Sequence, residues 1–332
     1  MRIVSLLPSA TEICFALGLG EELVGVTHEC DYPAEALTKP KVTTSSAHEG
    51  LSSREIDSLV RSQLQNGDSL YSLDAQKLEE LKPDLILTQQ LCTVCAVSVD
   101  TVRSIAAGLS TRPQVVSLEP RMMSEVFATF RRVAQLCGKI EECAARIAAL
   151  EARYRSVGRL VQELHRPRVI MLEWIDPPFL CGHWIPQIIA MAGGKNPIGE
   201  GRYGLFFRRP SKEITWGEVL HARPDVLIVA ACGFGIERQK QELEIIVREM
   251  GLHGSARESM GAPKLYICDG SHYFSRPGPR LVDTTEMLGM ILHPELAVEF
   301  GSKFQTGLDY EQIEYGSTTY DRYWQPEWPR EA

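Results

Sequence analysis

The chain carries nearly the same pattern twice, and this duplication constrains its fold more than any other feature. Residues 1–25 read as a strand, a polar loop, a helix and a Gly-rich stop, and residues 168–199 repeat the plan with a longer loop. Later in each half, a helix-like segment reaches K-P-D at residues 82–84 or R-P-D at residues 223–225, followed by an apolar run. Two such halves predict an α/β protein with two lobes, an open sheet in each and a ligand cleft between them. Because ligands of open parallel sheets bind outside the carboxyl ends of the strands, the residues that follow each strand are the binding candidates.

The duplicated pattern divides the chain into four predicted parts. We expect a first α/β lobe over residues 1–120 and a second over residues 166–300. Residues 121–165 lack proline and place apolar residues at three- and four-residue steps, which predicts one long connecting helix or two helices in line. Residues 301–332 are rich in Tyr, Trp, Glu and Pro and show no helical or strand period. They predict an extended tail that either packs on the body through its aromatic rings or is disordered.

Strands are expected at the short apolar runs that follow turn residues. In the first lobe these are residues 2–7, 22–27, 69–73, 84–87 and 114–117. In the second lobe they are residues 168–173, 226–230 and 264–267. Near the start of the first helix, Ser9 and Glu12 have S-x-x-E spacing, which predicts a capping box with Ser9 at the helix start.

Composition and charge exclude several classes of protein. With 332 residues, 44% of them hydrophobic and 23% charged, the chain has the composition of a globular protein and enough sequence for two cores. A net charge of −8 argues against nucleic acid as the main partner. No apolar run approaches the roughly 18 residues that a membrane span needs. The sequence also lacks a G-x-x-x-x-G-K-[ST] loop, a G-x-G-x-x-G after the first strand, a G-x-S-x-G elbow and an H-E-x-x-H helix.

The start of the chain and its cysteines bear on the compartment. Residues 2–7 are already strand-like and residues 8–9 begin a loop, so the chain as given shows no secretory signal. Its nine cysteines are an odd number spread along the chain, which is typical of a reducing compartment rather than of a disulfide framework. These observations predict a cytoplasmic protein, or a periplasmic or cell-surface protein if a signal was trimmed from this start.

The residues after the predicted strands supply aromatic, histidine and amide side chains. Aromatic rings suit a large, flat, partly apolar ligand, and a few polar groups would orient it. Trp174 and Trp184 either line such a site or close the interface between the lobes. The turn from Arg276 to Arg280 either holds a carboxylate or phosphate or caps the helix that follows. The predicted ligand-binding residues are His28, Glu29, Tyr32, Gln89, Trp174, His183, Trp184, Phe234, His272, Tyr273 and Arg276.

Cysteines on the same loops allow a metal or redox site. Cys92 and Cys95 form a C-x-x-C pair, which can chelate zinc as thiolates or carry out dithiol chemistry. A structural zinc site usually has two such pairs, so the remaining ligands would have to come from other loops. The predicted metal ligands are Cys30, Cys92, Cys95 and Cys181, with zinc or iron as the metal. The alternative is that these thiols are buried and pack the interface between the lobes.

Several segments of the chain resemble the vitamin B12- and iron-siderophore-binding proteins of ABC importers. In the first lobe these are SLLPSATE at residues 5–12, GVT at residues 25–27 and KPDLI at residues 82–86. In the second lobe they are AGG at residues 192–194, RPDV at residues 223–226 and RPGPR at residues 276–280. The resemblance covers roughly residues 1–295 and is closest to the cobalamin-binding branch, although the chain shows no export signal. It implies two Rossmann-like lobes joined by a single long helix, with the ligand held in the cleft between the lobes.

The resemblance also implies a function. It is the non-catalytic binding of a cobalamin-like or metal-chelate ligand in the interlobe cleft, with cobalamin or a related corrinoid as the ligand and an ABC permease as partner. The residues leave two alternatives open. One is a cytosolic metal-binding or redox protein that uses a Cys/His cluster with zinc or iron, and the other is an interaction module whose cleft binds nothing small. The duplicated lobes, the aromatic residues and the motifs favour a binding protein over an enzyme.

Overall fold

The duplicated sequence pattern corresponds to two α/β units in a computed structural model of the chain. Residues 1–45, 50–66, 71–90, 97–198, 209–250 and 262–314 are described. Unit 1 comprises Met1–Arg159 and Arg276–Thr285, and unit 2 comprises Leu160–Ser275 and Glu286–Ala332. The prediction of two α/β lobes is confirmed.

Unit 1 is built on parallel strands made mostly of buried aliphatic residues. Its strands are β1 (Ile3–Ser5), β2 (Leu23–Val26), β3 (Thr43–Ser45), β4 (Tyr71–Leu73), β5 (Leu85–Thr88) and β6 (Gln114–Ser117). Within the described residues the main sheet has the order β2-β1-β5-β6, and each neighbouring pair is parallel. β3 and β4 pair with each other in antiparallel register. β5 is buried at every position, as expected of a strand that is covered on both faces.

The helices of unit 1 include a pair in the segment that was predicted to connect the lobes. They are α1 (Pro8–Leu17), α2 (Ser53–Asn66), α3 (Ala75–Leu81), α4 (Val99–Gly108), α5 (Met123–Leu136) and α6 (Ile140–Leu160), with a short 3-10 helix at Ala34–Thr38. The sequence of residues 121–165 predicts one long helix or two helices in line, and the structure has two, α5 and α6. They are separated because Gly138 adopts a left-handed conformation with φ of 68°. The backbone N–H of Lys139 then bonds to the carbonyl of Ala134 at 2.9 Å, which closes α5.

The start of α1 differs from the sequence prediction. The helix begins at Pro8 with Leu7 as the N-cap residue, and no side chain caps it. Proline is favoured at a first helical position because an N–H would have no intrahelical partner there. Ser9 therefore lies inside the first turn, and the predicted Ser9–Glu12 capping box is wrong. Glu12 is instead buried, and its partners are described below.

Unit 2 has a sheet with a parallel centre and antiparallel margins. Its strands are β7 (Val169–Trp174), β8 (Phe179–Leu180), β9 (Lys212–Glu213), β10 (Val226–Val229), β11 (Lys264–Cys268) and β12 (Tyr310–Ile313). In the described part of the chain the order is β12-β11-β10-β7-β8-β9, with β7, β10 and β11 parallel. β12 pairs antiparallel with β11, so the segment expected to be a tail supplies an edge strand that the sequence pattern did not indicate. Residues 315–332 lie outside the described residues.

Short helices join these strands. They are α7 (Ile185–Met191), α8 (Trp216–His221), α9 (Ile236–Lys240), α10 (Leu243–Glu249), α11 (Arg280–Leu292) and α12 (Ala297–Phe300), with a π-helical turn at Gly270–Phe274 and 3-10 turns at Pro294–Leu296 and Gly301–Lys303. The residues of α11 up to Thr285 belong to unit 1, and those from Glu286 belong to unit 2.

The repeated K/R-P-D segment has the same role in both units. The Asp84 carboxylate accepts a hydrogen bond from the backbone N–H of Arg2 at 2.7 Å, and the Asp225 carboxylate accepts one from Arg168 at the same distance. Each aspartate thereby fixes the start of the first strand of its unit to the start of the neighbouring parallel strand, β5 or β10. The repetition in the sequence is therefore a repetition of one structural anchor.

Candidate functional site

In both units most of the candidate residues follow the carboxyl ends of parallel strands. In unit 1 these lie on the segments after β2 and β5, and in unit 2 they lie at the ends of β7, β10 and β11. His183 and Trp184 instead follow the antiparallel strand β8, and Arg276, which comes after β11 along the chain, belongs to unit 1. Because β7, β10 and β11 are neighbours in one sheet, their carboxyl ends bring Trp174, Phe234 and His272 to the same edge. We call this edge of unit 2, defined by these three residues, the aromatic edge.

An aromatic pair forms the centre of the aromatic edge. The ring centroids of Trp174 and Phe234 are 5.1 Å apart, and the ring planes are inclined by 47°. The Arg238 guanidinium carbon lies 4.3 Å from the centroid of the Phe234 ring. Phe234 is buried, whereas Trp174 is half-buried. Trp174 therefore presents aromatic surface, and Phe234 supports it from below the surface.

A glutamine that the sequence did not single out holds the Phe234 loop in place. Gln239 is fully buried on α9, and its Oε1 accepts a hydrogen bond from the Ala231 backbone at 3.0 Å. Its Nε2 donates to the Cys268 carbonyl at 2.7 Å and to the Phe234 carbonyl at 3.2 Å. One neutral side chain thus links the loop after β10 to the end of β11. A single glutamine on a short helix carries no sequence signal for this role.

Two candidate residues after β11 are held by aspartates. The His272 Nδ1 atom lies 2.9 Å from the Asp269 Oδ2 atom, and Asp269 Oδ1 accepts from the His272 backbone N–H at 2.8 Å. The Tyr273 hydroxyl donates to Asp309 Oδ1 at 2.8 Å. A D-x-x-H spacing is visible in the sequence, and it would have indicated the first of these pairs. The Asp309 contact depends on the segment before β12 and could not be anticipated.

The second tryptophan candidate is a core residue. Trp184 is buried, and its indole N–H donates to the carbonyl of Phe274 at 2.9 Å. Its neighbour His183 is half-buried, has a left-handed φ of 53°, and donates its backbone N–H to the Arg209 carbonyl at 2.7 Å. The two rings have centroids 5.6 Å apart. Trp184 thus has the contacts of a residue that stabilises the interior.

In unit 1 the histidine and glutamate after β2 form a local polar network. The His28 Nδ1 atom lies 2.8 Å from the hydroxyl of Thr43, and the His28 backbone N–H donates to the same oxygen at 3.1 Å. Thr43 donates to Thr27 at 2.8 Å, which leaves the Thr43 oxygen as an acceptor toward His28. The Tyr71 hydroxyl donates to Glu29 Oε1 at 3.0 Å. These groups brace the loop after β2 against β3 and β4.

The arginine that was predicted to contact ligand binds carboxylates of the protein. The Arg276 guanidinium pairs with Asp31, through Nη2 and Oδ2 at 3.0 Å, and with Glu12 Oε1 at 3.3 Å. Arg280 Nε donates to Glu12 Oε2 at 3.0 Å, and its guanidinium carbon lies 4.2 Å from the centroid of the exposed Tyr32 ring. Burial by itself disfavours the charged guanidinium, but Asp31 and Glu12 outweigh it, so the pKa of Arg276 is raised. We call Glu12, Asp31, Arg276 and Arg280 the ionic cluster.

The end of β5 holds the remaining candidate of unit 1. Gln89 is half-buried and directly follows Thr88, the last residue of β5. The Thr88 hydroxyl is buried and makes no hydrogen bond within the described part of the chain. The carboxyl end of β5 therefore also carries polar side chains, those of Thr88 and Gln89.

Two of the predicted metal ligands are buried thiols in different units. Cys30 belongs to unit 1 and Cys181 to unit 2. Burial raises the pKa of the Cys30 thiol to about 11, although the Thr11 hydroxyl, 3.0 Å from the sulfur, acts in the opposite direction. Burial also raises the pKa of the Cys181 thiol. Neutral thiols are poor metal ligands. Cys92 and Cys95 lie outside the described residues, so the metal site stays a prediction.

Comparison with known proteins identifies the family. The family described as periplasmic binding protein matches residues 3–255. The chain belongs to this family.

A vitamin B12-binding protein of Vibrio cholerae is 23% identical over 246 residues, which are 69% of this chain and 70% of that protein. The solved structure of a periplasmic vitamin B12-binding protein of Vibrio cholerae has a TM-score of 0.59 at 18% identity and covers 91% of this chain and 98% of its own. A periplasmic heme-binding protein from Roseiflexus has a TM-score of 0.62 at 23% identity and covers 88% of this chain and 98% of its own.

The sequence motifs resemble this family, and the prediction that the chain belongs to it is confirmed. At such low identity the solved structures show a shared fold of two α/β lobes and leave the ligand open. The family supports binding of a small solute without chemical conversion, and it offers no support for the metal or redox alternative. The predicted cytoplasmic location is not supported either, whereas the periplasmic or cell-surface alternative agrees with the match. Among the helices in the described ranges, none combines the length and apolar character needed to cross a membrane.

Proposed function

We propose that this periplasmic binding protein binds a cobalamin-like or haem-like metal chelate without turnover and presents it to an ABC permease. The observation that supports the proposal most is the family match, which spans residues 3–255 and so includes strands of both units. Relatives and structural neighbours bind vitamin B12 or haem according to their names, and both are large planar chelates.

The aromatic edge suits a ligand of this shape. A half-buried indole offers a flat apolar surface while its neighbour Phe234 keeps it in place. Stacking on a rigid aromatic ring supplies affinity for a macrocycle, and nearby polar groups supply orientation. We therefore propose Trp174 as the principal ligand contact, with Phe234 as its support and His272 as a polar group at the same sheet edge.

The loop that carries Phe234 is organised before ligand arrives. Gln239 ties it to β11, and the Gly270 backbone N–H donates to the Phe234 carbonyl at 3.0 Å. A surface that is already ordered loses less conformational entropy on binding. This arrangement favours tight binding over catalysis, which would need reactive groups aimed at a substrate bond.

Titration of the purified chain with a panel of chelates tests the proposal. The panel consists of cyanocobalamin, aquocobinamide, ferric haem and a ferric tris-hydroxamate complex, followed by calorimetry and by tryptophan fluorescence. We expect saturable binding of at least one member, with the affinity lowered about tenfold, or about 1.4 kcal/mol, in Trp174→Ala. Trp174→Phe is the matched variant and should keep most of the affinity because it keeps a stacking ring. Absence of binding to every member of the panel would contradict the proposal.

A further inference from the structure

The π-helical turn that carries His272 is held on two sides. It follows β11, which lies between β10 and β12 in the sheet of unit 2. On the β10 side the Gly270 backbone N–H donates to the Phe234 carbonyl at 3.0 Å. A Cβ atom at Gly270 would lie 2.1 Å from the Ala231 carbonyl oxygen, so only glycine permits this close approach. On the β12 side the turn contacts residues 304–313, which we call the support segment.

Asp309 of the support segment holds the turn near both of its ends. Its backbone carbonyl accepts a hydrogen bond at 2.9 Å from the backbone N–H of Asp269, the residue that precedes the turn. Its Oδ1 atom accepts a hydrogen bond from the Tyr273 hydroxyl at 2.8 Å. The Asp269 carboxylate accepts from the His272 backbone N–H at 2.8 Å. A chain of hydrogen bonds therefore leads from Asp309 to the backbone of His272.

The carboxylate of Asp309 is itself fixed by the loop before β12. Its Oδ2 atom accepts from the Gln305 backbone N–H at 2.7 Å, and the Asp309 backbone N–H donates to the Gln305 carbonyl at 2.9 Å. The buried Phe304 ring meets the Tyr273 ring edge-on, with the centroids 6.2 Å apart and the planes inclined by 74°. Because a carboxylate only accepts hydrogen bonds, the Tyr273 hydroxyl directs its proton at Asp309. The support segment therefore fixes both the ring and the hydroxyl of Tyr273.

The support segment is also joined to the helix that organises the Phe234 loop. The Lys240 ammonium, at the end of α9, lies 2.7 Å from Glu311 Oε2 in β12. The same helix carries Gln239, which donates to the Phe234 carbonyl. β12 in turn pairs with β11 in antiparallel register. The turn, the Phe234 loop and the support segment are therefore connected parts of one ordered surface.

We propose that Asp309 is a positioning residue for ligand binding. It acts through Tyr273 and gives the turn at the aromatic edge one geometry before the ligand arrives. A site that is already ordered loses less conformational entropy when the ligand binds, so loss of this order weakens binding. The inference rests on the proposed function, and it extends the site to a part of the chain beyond the family match, which ends at residue 255.

Titration and hydrogen exchange of the full chain with Asp309→Ala test the positioning role. The probes are the four chelates of the panel: cyanocobalamin, aquocobinamide, ferric haem and a ferric tris-hydroxamate complex. We expect the affinity for each chelate that the wild type binds to fall about tenfold, since a hydrogen bond to a charged acceptor is lost. Without ligand, the backbone amides of residues 269–275 should exchange faster than in wild type, whereas those of β7 should keep the wild-type rate. A general loss of stability would accelerate both.

Tyr273→Phe completes a double-mutant cycle with Asp309→Ala. It removes only the hydroxyl that bonds to Asp309 and keeps the ring against Phe304, so it disturbs folding less. Each single variant should lower the affinity about tenfold, and the double variant should also lower it about tenfold, because both changes remove the same hydrogen bond. Independent contributions would multiply to about a hundredfold. Glu299→Ala is the matched control, since it removes a carboxylate from an exposed position of α12 in the same unit, and it should behave as wild type.

The outcomes separate the two proposals. Faster exchange in residues 269–275 together with a non-additive loss of affinity supports the positioning role. If the wild type binds a chelate but exchange in the turn or affinity is unchanged in both single variants, the positioning role is wrong and the binding function stands. The same conclusion follows if the two losses of affinity multiply. Failure of the wild type to bind any chelate of the panel would overturn the function, and with it the role of Asp309 in binding.

Discussion

The two units share a run of three parallel strands, β1-β5-β6 in unit 1 and β7-β10-β11 in unit 2, but they differ in the side chains near the carboxyl ends of their strands. In unit 1 the charged groups near these ends bind one another, as in the ionic cluster of Glu12, Asp31, Arg276 and Arg280. In unit 2 the corresponding region has aromatic rings braced by a neutral glutamine, with one histidine held by a buried aspartate. A guanidinium already engaged by protein carboxylates has little left to offer a ligand. We therefore propose that the charged groups of unit 1 stabilise the fold, whereas the aromatic groups of unit 2 bind the ligand.

The largest effect is expected from breaking the ionic cluster. Glu12→Gln removes the carboxylate between two buried guanidinium groups and leaves their charges poorly compensated. Removing one partner of a buried ion pair typically lowers the free energy of unfolding by about 3–5 kcal/mol. Urea denaturation measures this loss, and Glu299→Gln, an exposed residue of α12, is the control that should change little. A loss comparable to that of the control would show that the cluster does not stabilise unit 1.

The next effect concerns the neutral brace of unit 2. Gln239→Ala removes the acceptor of the buried Ala231 N–H and a donor to the Cys268 carbonyl, so the free energy of unfolding should fall by about 2–4 kcal/mol. Unlike Glu12→Gln, this change should also weaken chelate binding among molecules that remain folded, because Phe234 is no longer held. Calorimetry at a temperature where Glu12→Gln and Gln239→Ala are both folded measures the affinity of each variant separately from its loss of stability. The exposed Gln76→Ala serves as the control. Equal affinities for Gln239→Ala and wild type would contradict the brace.

A smaller loss is expected at Trp184. Trp184→Phe keeps a ring in the core but leaves the Phe274 carbonyl without its indole donor, which should lower the free energy of unfolding by about 1–3 kcal/mol. Ligand affinity should stay unchanged, in contrast to Trp174→Ala. Thermal unfolding and titration of the two variants side by side check this. A large loss of affinity in Trp184→Phe would show that Trp184 contributes to ligand binding.

The smallest effect is the alkaline sensitivity caused by Cys30. Burial raises the pKa of this thiol from its ordinary value of 9.0 to about 11, so between these pH values the folded chain keeps the thiol proton that the unfolded chain loses. This contribution to stability is complete below pH 9, and it declines as the pH rises from 9 to about 11. At pH 10 the wild type should have lost about 1 kcal/mol of its free energy of unfolding through this effect, and Cys30→Ala should not show that loss. Chemical denaturation at pH 8 and pH 10 measures it, and an identical pH dependence in wild type and variant would refute the assignment.

Periodicity and short motifs were sufficient for most of the fold. The apolar runs predicted β1, β2, β5, β6, β7, β10 and β11 to within a few residues, because buried parallel strands are continuous stretches of aliphatic side chains. The K/R-P-D repeat predicted equivalent positions because Asp84 and Asp225 make the same backbone contact. β12 was missed because an antiparallel edge strand of four residues has no such pattern.

The site was harder to predict because its partners are distant in sequence. The local spacing of Ser9 and Glu12 suggested a cap, but Glu12 pairs with arginines more than 260 residues away. Arg276 stays a predicted ligand contact, but the sequence could not show that Asp31 and Glu12 contact it. The prediction that the ligand binds at the strand ends stays a prediction, and the structure shows that Trp174 and Phe234 pack together there. The role of Gln239 could not be predicted, because it depends on contacts with Ala231 and Cys268 that only the structure shows.

Paired affinity measurements on the two units test the central claim most directly. Aquocobinamide and ferric haem would be titrated into the full chain and into Trp174→Ala and His28→Ala, one variant at the strand ends of each unit. The account predicts an affinity loss of about tenfold for Trp174→Ala and less than about threefold for His28→Ala, whose imidazole is already engaged by Thr43. The opposite order, with His28→Ala the more damaging change while both variants remain folded, would contradict it.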